Sequence, residues 1–409
     1  MTDPIHDFTA KLRQPSVAGA VADYVRWRRE LALARAEGRE PPTPPGRAPV
    51  SLNLDLTTAC NYRCDHCIDW DTLNSQQRHR DDRLRASITT LVARGLRSVI
   101  LIGGGEPTLY PDFAGFVRFL KGAGLDVAVV TNGSRGDRLL EIADVLGERD
   151  WIRLSLDAGS DATFRALHRP ARKDLGLDEI CAWVPRLKAR NPRFRVGYSF
   201  VIVWRGAERD GVALGENVGE IALAAGRARD AGFDYISFKP VLERAGDGAE
   251  VMAPERAGAA LQAVVARIRA GVEHARRLAV DGFEVHVSTN LRVLEQGNWR
   301  DMTRQPTRCH MQAFRQVLSP TGLFNCPAHR GVEKARLGSA DAYADAALAQ
   351  QTSEQLARLL DDFDASRECR EVTCLYNGVN WWLEKLTLDP RREAEIEIDA
   401  DAERHDFFL

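Results

Sequence analysis

The sequence predicts an α/β fold organised around a parallel sheet, and the order of its segments supports this prediction. Short apolar segments alternate with longer amphipathic ones, which is the order expected of repeated strand–helix–strand units. Strands are predicted over residues 51–57, 98–102, 127–131, 152–156, 196–203 and 235–238. Helices are predicted over residues 82–94, 112–122, 177–190 and 216–231. Right-handed crossovers would curl such a sheet, but six strands are too few to close an eight-stranded barrel.

Five segments are predicted along the chain, with boundaries at 1–49, 50–250, 251–295, 296–390 and 391–409. The first is a helical extension whose helix, over 16–40, ends in a proline-rich linker because proline cannot continue a helix. We expect this extension to pack on the strand–helix repeats of the second segment. A long helix over 253–278 and a strand over 283–287 lead into a small α+β domain. The last segment is acidic, which favours a solvated or disordered tail.

Composition narrows the class of protein. The chain has 409 residues, of which 44% are hydrophobic and 28% charged, and its net charge is -2. This balance gives no electrostatic reason to expect nucleic acid or a membrane as a partner. No apolar run is long enough for a signal peptide or a membrane span, so we expect a cytoplasmic protein. Eight cysteines in a reducing compartment then point to metal binding or catalysis rather than to disulfides.

Three cysteines, Cys60, Cys64 and Cys67, lie within eight residues directly after the first predicted strand. Three thiolates leave one iron of a 4Fe-4S cluster without a protein ligand, so a cofactor or substrate can bind that iron. A structural zinc site is the alternative, but zinc usually takes four protein ligands arranged as two short pairs. The C-x3-C-x2-C spacing therefore favours an iron–sulfur cluster with one open iron.

This spacing, with His66 directly before the third cysteine, resembles the signature of the radical S-adenosylmethionine (SAM) superfamily. The resemblance implies a partial (β/α)6 barrel, TIM-like, with its site at the carboxyl ends of the strands. It implies that the open iron binds SAM, which is cleaved to a 5′-deoxyadenosyl radical that abstracts hydrogen from a substrate C–H bond. A low-potential donor such as flavodoxin or ferredoxin would supply the electron.

Further motifs follow the next strands. Residues 103–107 read Gly-Gly-Gly-Glu-Pro, in which glycines allow close backbone approach and the glutamate can pair with an ammonium group. By resemblance this motif holds the SAM amino group, Ser155 and Arg172 hold the SAM carboxylate, Asn132 reaches the ribose, and Ser199 is a candidate for the ribose or the carboxylate. A tight turn without a ligand is the alternative for the glycine run and for the Asn-Gly turn at 132–133. The predicted cofactor-binding residues are His66, Gly104, Gly105, Glu106, Asn132, Ser155, Arg172 and Ser199.

Two basic residues are the candidates for contact with substrate. Lys239 ends the sixth predicted strand, where it could hold a substrate anion or move a proton. Arg153 lies at the start of the fourth strand. Arg153, like Asn53 and Asp55 on the first strand, also has a structural alternative, since buried polar side chains often serve packing.

A second set of cysteines, Cys309, Cys326, Cys369 and Cys374, occurs near the end of the chain. A hairpin predicted over 316–325, with a Pro-Thr-Gly turn, would bring the first two together. A hairpin pair followed by a late pair resembles the twitch domain, a shortened SPASM domain that holds one auxiliary 4Fe-4S cluster. The late pair here is C-x4-C where C-x2-C is common, and structural zinc stays an alternative.

Three remaining residues are weaker candidates. His310 and His329 flank the second cysteine set, either beside its cluster or as exposed loop residues. Cys181 lies on a predicted outer helix and is expected to be a buried structural residue.

The resemblance implies an oxidative reaction. With one auxiliary cluster to accept the second electron, a dehydrogenase-like oxidation of a small natural-product precursor is expected, as in aminocyclitol dehydrogenases. Modification of a ribosomally made peptide, by thioether or carbon–carbon crosslinking or by epimerisation, is the alternative. A non-catalytic iron–sulfur or zinc module would not need the motifs at 103–107 and Ser155.

Overall fold

The structure is a computed structural model that describes residues 7–396 and 405–409. The chain divides into two compact units. Unit 1 comprises Met1–Asn53, His79–Val99 and Arg300–Leu409, and unit 2 comprises Leu54–Arg78 and Ile100–Trp299. The predicted N-terminal extension and the second cysteine set therefore share unit 1, while the first cysteine set lies in unit 2.

Strands and helices alternate along most of the described chain. In chain order the strands are β1 (Ser51–Leu54), β2 (Ser98–Leu101), β3 (Asp126–Thr131), β4 (Trp151–Ser155), β5 (Arg195–Ile202), β6 (Glu208–Arg209), β7 (Val212–Ala213), β8 (Tyr235–Pro240), β9 (Glu243–Arg244), β10 (Glu250–Val251), β11 (Glu284–Val287), β12 (Arg315–Ser319), β13 (Gly322–Phe324) and β14 (Arg336–Gly338). The α-helices are α1 (Phe8–Leu12), α2 (Pro15–Ala36), α3 (Asp81–Ala93), α4 (Phe113–Gly122), α5 (Gly136–Ile142), α6 (Asp161–His168), α7 (Leu177–Cys181), α8 (Trp183–Arg190), α9 (Ile221–Asp230), α10 (Leu261–Arg276), α11 (Thr289–Gln296), α12 (Ala346–Asp362), α13 (Ala365–Glu368) and α14 (Asn377–Leu388).

Unit 2 is built on a parallel sheet. β3, β4, β5, β8 and β11 lie side by side in that order, and every neighbouring pair is parallel. This confirms the α/β fold with a parallel sheet. β11, the strand predicted at 283–287, pairs with β8 and so extends the sheet rather than only linking two domains.

The two faces of this sheet differ in burial. Side chains alternate across a strand, so residues in register on neighbouring parallel strands share a face. On one face the in-register side chains of Leu154, Tyr198 and Ile236 are fully buried. On the other, alternate residues of β4 and β8 are only half-buried. We call this second side the open face; it carries Arg153, Ser155, Ser199, Ser237 and Lys239.

Two predicted helices are interrupted. The helix predicted over 177–190 is divided into α7 and α8, because Pro185 has no N–H to donate to the carbonyl of Cys181. The helix predicted over 253–278 begins as a 3-10 helix, Pro254–Ala260, in which Gly258 adopts a φ of 53°. That left-handed backbone breaks the helix, so the regular helix begins at Leu261.

Unit 1 has its own core. The predicted hairpin forms as β12 and β13, and β14 continues it antiparallel. Helix α2 packs on α14, burying Val21 and Val25 together with Leu383 and Leu386. The apolar residues of the predicted N-terminal extension belong to this core, and its packing on the strand–helix repeats stays a prediction.

The acidic tail predicted over 393–406 is described only in part. Residues 397–404 lie outside the described residues. Ile396 and Phe407–Leu409 are buried, and the Lys11 ammonium group donates to the Phe408 carbonyl oxygen at 2.7 Å. The described end of the chain is packed rather than solvated, because its last residues are apolar and complete the unit 1 core. Among the described helices, none is both long and apolar enough to cross a membrane.

Candidate active site

The first cysteine set lies on the loop after β1, within unit 2. Its three thiols are free and half-buried. Burial raises the pKa of Cys60 to about 11 and that of Cys67 to about 12. Burial and the proximity of Cys67 and Cys60 raise the pKa of Cys64 well above its usual range. Three neighbouring thiols that resist ionisation fit a metal cluster, because bound iron supplies the positive charge that three thiolates need.

Backbone hydrogen bonds hold this loop against α6. The N–H of Asp65 donates to the Leu167 carbonyl at 2.8 Å, and the N–H of Ala171 donates to the Asn61 carbonyl at 2.9 Å. The Arg209 guanidinium donates to the Cys64 carbonyl at 2.9 Å. The cysteines are therefore positioned by contacts from residues far along the chain as well as by their own spacing.

The glycine run after β2 supports the cysteine loop directly. A Cβ added at Gly105 would lie 2.3 Å from the Ala59 carbonyl oxygen, a distance that no side chain tolerates. The N–H of Glu106 donates to that same oxygen at 2.8 Å, and the N–H of Gly104 donates to Asp69 Oδ2 at 3.2 Å. Glycine is required here because the run packs on the backbone that leads into Cys60.

The Glu106 carboxylate is turned toward β3. Its Oε1 accepts hydrogen bonds from the Thr108 and Thr131 hydroxyls at 2.6 Å, and its Oε2 accepts one from the Asn132 N–H at 2.7 Å. Burial raises the pKa of Glu106, although these donors oppose the shift. With 2% of its surface exposed, the side chain ties two strand ends together. Pairing of the Glu106 carboxylate with the ammonium group of SAM stays a prediction.

Asn132 joins the turn after β3 to the cysteine loop. Its side-chain amide donates to Asn61 Oδ1 at 2.9 Å, and its own Oδ1 accepts from the Ser134 N–H at 3.0 Å. The Asn61 amide in turn donates to the Ser134 hydroxyl at 2.9 Å. Gly133 completes the turn with a φ of 75°. Asn132 and Gly133 thus form the tight turn that is the alternative to a ligand-binding role. Ribose binding by Asn132 stays a prediction.

An acidic residue and two histidines form a cluster beside Cys64. His66 Nε2 lies 2.9 Å from Asp157 Oδ2, and His168 Nε2 lies 3.3 Å from the same oxygen. His168 Nδ1 lies 3.2 Å from Cys64 Sγ. Burial alone would raise the pKa of Asp157, but the hydrogen bonds from His168 and His66 hold it well below its usual range. His66, which is predicted to contact the cofactor, thus also contacts Asp157.

Sequence reasoning missed Asp157 and His168. The signal for Asp157 was its place two residues after Ser155, where it adopts a φ of 49° and its Oδ1 accepts from the Val201 N–H at 2.6 Å. His168 carried no local signal, because it lies on α6, about a hundred residues after Cys64, and meets it only in the folded chain.

The predicted partners of the SAM carboxylate are placed differently from each other. Ser155 ends β4 on the open face and is in register with Ser199. Arg172 is exposed, with its guanidinium paired to Glu179 and, at 3.6 Å, to Asp174. In the described chain no hydrogen bond joins Arg172 to Ser155. Arg172 pairs with surface carboxylates instead. Binding of the SAM carboxylate by Ser155 and Arg172 together stays a prediction.

Lys239 and Arg153 both lie on the open face. Burial and the charge of Arg153 lower the pKa of Lys239 to about 8, although Asp157 and Glu250 oppose the shift. The Arg153 guanidinium lies 5.1 Å from the centre of the Trp151 ring. By contrast Asn53, in unit 1, accepts from Arg315 at 2.9 Å and so has a structural partner.

The second cysteine set meets in one cavity of unit 1. All four cysteines line one cavity, together with Gln312, Arg315, Asn325, His329 and Tyr376. Burial and neighbouring Cys326 raise the pKa of Cys309 to about 12. Burial and the other three thiols raise the pKa of Cys369 well above its usual range. Four coupled thiols around one cavity fit either a 4Fe-4S cluster or zinc.

His310 and His329, which flank the second cysteine set, are buried. The prediction that they are exposed loop residues is therefore wrong. His310 is 0% exposed, with the Tyr24 hydroxyl 2.7 Å from its Nδ1 and Glu384 Oε2 2.6 Å from its Nε2. His329 is also 0% exposed, and its Nε2 lies 3.6 Å from Cys369 Sγ. Cys181 is 5% exposed, consistent with the buried residue that was predicted.

Comparison with known proteins finds a family likeness in the part of the chain that holds the first cysteine set. Residues 54–208 match the family model of the radical SAM superfamily. The S-adenosylmethionine-dependent nucleotide dehydratase of Selenomonas ruminantium is 27% identical over 41% of this chain and 61% of its own length. The GTP 3′,8-cyclase of Chlorobaculum tepidum is 34% identical over 31% of this chain and 38% of its own. The chain thus spans less than two thirds of the length of these curated relatives.

A solved structure shares the fold over more of the chain. Native anSMEcpe with bound AdoMet and Cp18Cys peptide matches 84% of this chain and 97% of its own, with a TM-score of 0.51 and 12% identity. At that identity the likeness concerns the fold alone. The matched residues 54–208 contain the three cysteines, the glycine run and Ser155, so this part of the chain carries a radical SAM domain, and the enzyme names of the relatives support an enzymatic function.

Proposed function

We propose that this radical SAM enzyme oxidises a C–H bond of a small natural-product precursor in a dehydrogenase-like reaction, with an auxiliary 4Fe-4S cluster as the acceptor of the second electron. The observation that carries the proposal is the cavity lined by Cys309, Cys326, Cys369 and Cys374. Four thiols complete the ligand set of a cluster, so this centre offers electron transfer rather than an open iron.

Cys60, Cys64 and Cys67 would hold the SAM-binding cluster, and the chain's own groups fit it. When bound, that cluster and SAM supply a one-electron reduction that yields a hydrogen-abstracting carbon radical. The glycine run sets the backbone under Cys60, and His168 contacts Cys64. Ser155 and Asn132 stay the candidates for contact with SAM.

The reaction balances as a two-electron oxidation. The substrate loses one hydrogen atom to the radical, one proton to a base and one electron to the auxiliary centre. Lys239 and Arg153 are the residues we propose to contact the substrate, because both lie on the open face without an ion-pair partner among the described residues. The external electron for SAM cleavage would come from a flavodoxin- or ferredoxin-like donor.

The names of the relatives widen the choice of substrates to test. Two relatives are named for nucleotide chemistry, and the solved structure holds a peptide. Peptide modification therefore stays the alternative to oxidation of a small molecule. A panel of aminocyclitols, nucleotides and peptides separates these classes.

The test is a product analysis under anaerobic conditions. Reconstituted enzyme is incubated with SAM, a reductant and each panel member, and 5′-deoxyadenosine and product masses are measured. We expect a product two mass units lighter than its substrate, formed in a one-to-one ratio with 5′-deoxyadenosine. A product of unchanged mass, or a crosslinked peptide, would contradict oxidation of a small molecule.

A further inference from the structure

Gln312 lies beside the second cysteine set, within unit 1. It belongs to a 3-10 helix, His310–Ala313, that begins directly after Cys309, and it lines the same cavity as the four thiols. Its side chain is 0% exposed, and its Nε2 forms no hydrogen bond among the described residues. A buried donor without a partner costs free energy, so Gln312 calls for a hydrogen-bond acceptor inside this cavity.

Asn325 holds the Gln312 side chain in place. The Asn325 amide donates to Gln312 Oε1 at 3.1 Å. Asn325 directly precedes Cys326, lines the same cavity and is 2% exposed, and its Oδ1 has no partner in the part of the chain that the structure describes. Exchanging oxygen and nitrogen in both amides would keep their mutual bond and make the Asn325 nitrogen the unpartnered donor. The pair therefore offers one amide donor in either assignment.

A cation lines the cavity as well. Arg315 begins β12, and its guanidinium contacts the Tyr376 hydroxyl and donates to Asn53 Oδ1 at 2.9 Å. Within residues 7–396 and 405–409 it forms no ion pair, and its Nε is buried without a hydrogen-bond partner. Partly buried cations are usually paired with an anion, so Arg315 calls for an anionic group in the cavity.

The charged groups beside the two cysteine sets differ in sign. Burial raises the pKa values of the thiols in both sets. Three carboxylates and one arginine act further on the thiols of the first set. In the second set Lys334, which also pairs with Glu368, lowers the pKa of Cys369, and Arg315 lowers that of Cys374. Nearby positive charge favours the addition of an electron and negative charge opposes it, so this pattern favours reduction of the second centre.

We propose that the Gln312–Asn325 amide pair and Arg315 raise the reduction potential of the auxiliary centre, the amide pair by donating a hydrogen bond to its sulfur and Arg315 by its charge. Hydrogen bonds to sulfur and net charge are two of the properties that set the potential of an iron–sulfur cluster. Both act strongly in a buried cavity, where water screens little. This inference rests on the proposed function, because a raised potential lets the centre accept the second electron from the substrate.

The test measures this potential directly and needs no substrate. The full chain is reconstituted anaerobically and titrated with a reductant, while electron paramagnetic resonance follows the reduced clusters. The same titration of the full chain with C60A, C64A and C67A isolates the auxiliary signal. Gln312→Leu should lower the auxiliary potential by about 59 mV, which corresponds to a tenfold change in a one-electron equilibrium. Gln312→Glu keeps the shape of the side chain but adds a negative charge, so it should lower the potential further.

Further variants separate the potential from folding. Arg315→Met should also lower the potential, whereas Arg315→Lys keeps the charge and should restore most of it. Gln14→Leu removes a buried amide of unit 1 that bonds to the Lys11 carbonyl, and it should leave the potential unchanged. A cluster that keeps the wild-type potential in Gln312→Leu, Gln312→Glu and Arg315→Met would overturn this inference alone. Zinc in place of iron at the second cysteine set would overturn the proposed electron acceptor and this inference with it.

Discussion

The two cysteine centres of this chain differ in how completely the protein encloses them. The centre in unit 2 takes three thiols from one short loop, and its further contacts are a glycine run and His168. The centre in unit 1 takes four thiols from a hairpin and two later segments, and they line one cavity. Metal sites that perform chemistry keep an open position, whereas closed sites transfer electrons or support structure. Thiol number is therefore the feature on which the proposed roles of a reactive and an auxiliary centre depend.

Removing the three-thiol centre should have the largest effect. Cys60→Ala, Cys64→Ala and Cys67→Ala together should reduce SAM cleavage to background, because these three thiols are the proposed ligands of the cluster that binds SAM. The measurement is 5′-deoxyadenosine formed by reconstituted enzyme with a reductant. SAM cleavage that survives in this variant would refute the assignment of the reactive centre.

Removing the four-thiol centre should split the two activities. Cys369→Ala with Cys374→Ala should spare SAM cleavage without substrate, while the product lighter by two mass units disappears. Both quantities can be followed in one chromatogram. If the variant still oxidises substrate, the auxiliary centre is not the electron acceptor; Cys181→Ala is the matched control for loss of a thiol.

A methyl group at Gly105 should damage only the centre in unit 2. Gly105→Ala drives a Cβ against the Ala59 carbonyl, and such overpacking costs about 1–3 kcal/mol of unfolding free energy. Iron bound by Cys60, Cys64 and Cys67 should fall accordingly. Gly122→Ala, where nothing lies within 4 Å, should be neutral or stabilising by up to about 1 kcal/mol. Equal behaviour of the two variants in chemical denaturation would contradict the role given to the glycine run.

His168 should tune how tightly the three-thiol centre holds iron. His168→Phe removes the contact with Cys64, and loss of such supporting contacts typically lowers metal affinity about 10–100-fold. Competition with a chelator, followed by the loss of visible absorbance, measures this. The exposed His274→Phe is the control. Identical chelation rates in the two variants would show that His168 only fills space.

Replacing Lys239 should change the free energy of unfolding in a pH-dependent way. The folded chain lowers the pKa of Lys239 to about 8, so between pH 8 and its usual range the unfolded chain binds more protons. Folding stability contributed by this group therefore rises as pH rises through that window. Lys239→Met should accordingly stabilise the protein at pH 7, by roughly 1–3 kcal/mol, and the gain should shrink toward pH 10. Lys173→Met should change the free energy of unfolding little. If Lys239→Met is less stable than the wild type at pH 7, Lys239 is not an unpaired cation.

The sequence predicted those features that depend on local order. The spacing of Cys60, Cys64 and Cys67 and the glycine run needed no folded structure, and strand alternation predicted the parallel sheet. His168 and Asp157 could not be found in this way, since their contacts join segments far apart in sequence. The broken helix at Gly258 was missed because a glycine within an alanine-rich stretch is compatible with a helix until its backbone is seen.

The most direct test of the two-centre account is iron and sulfide content with electron paramagnetic resonance on anaerobically reconstituted protein. The wild type is measured beside the Cys60/Cys64/Cys67 variant and the Cys369/Cys374 variant. We expect about eight irons per chain in the wild type and about four in each variant, with a different cluster signal remaining in each. About four irons in the wild type, none in the first variant, and zinc in the second cysteine set would contradict the auxiliary cluster.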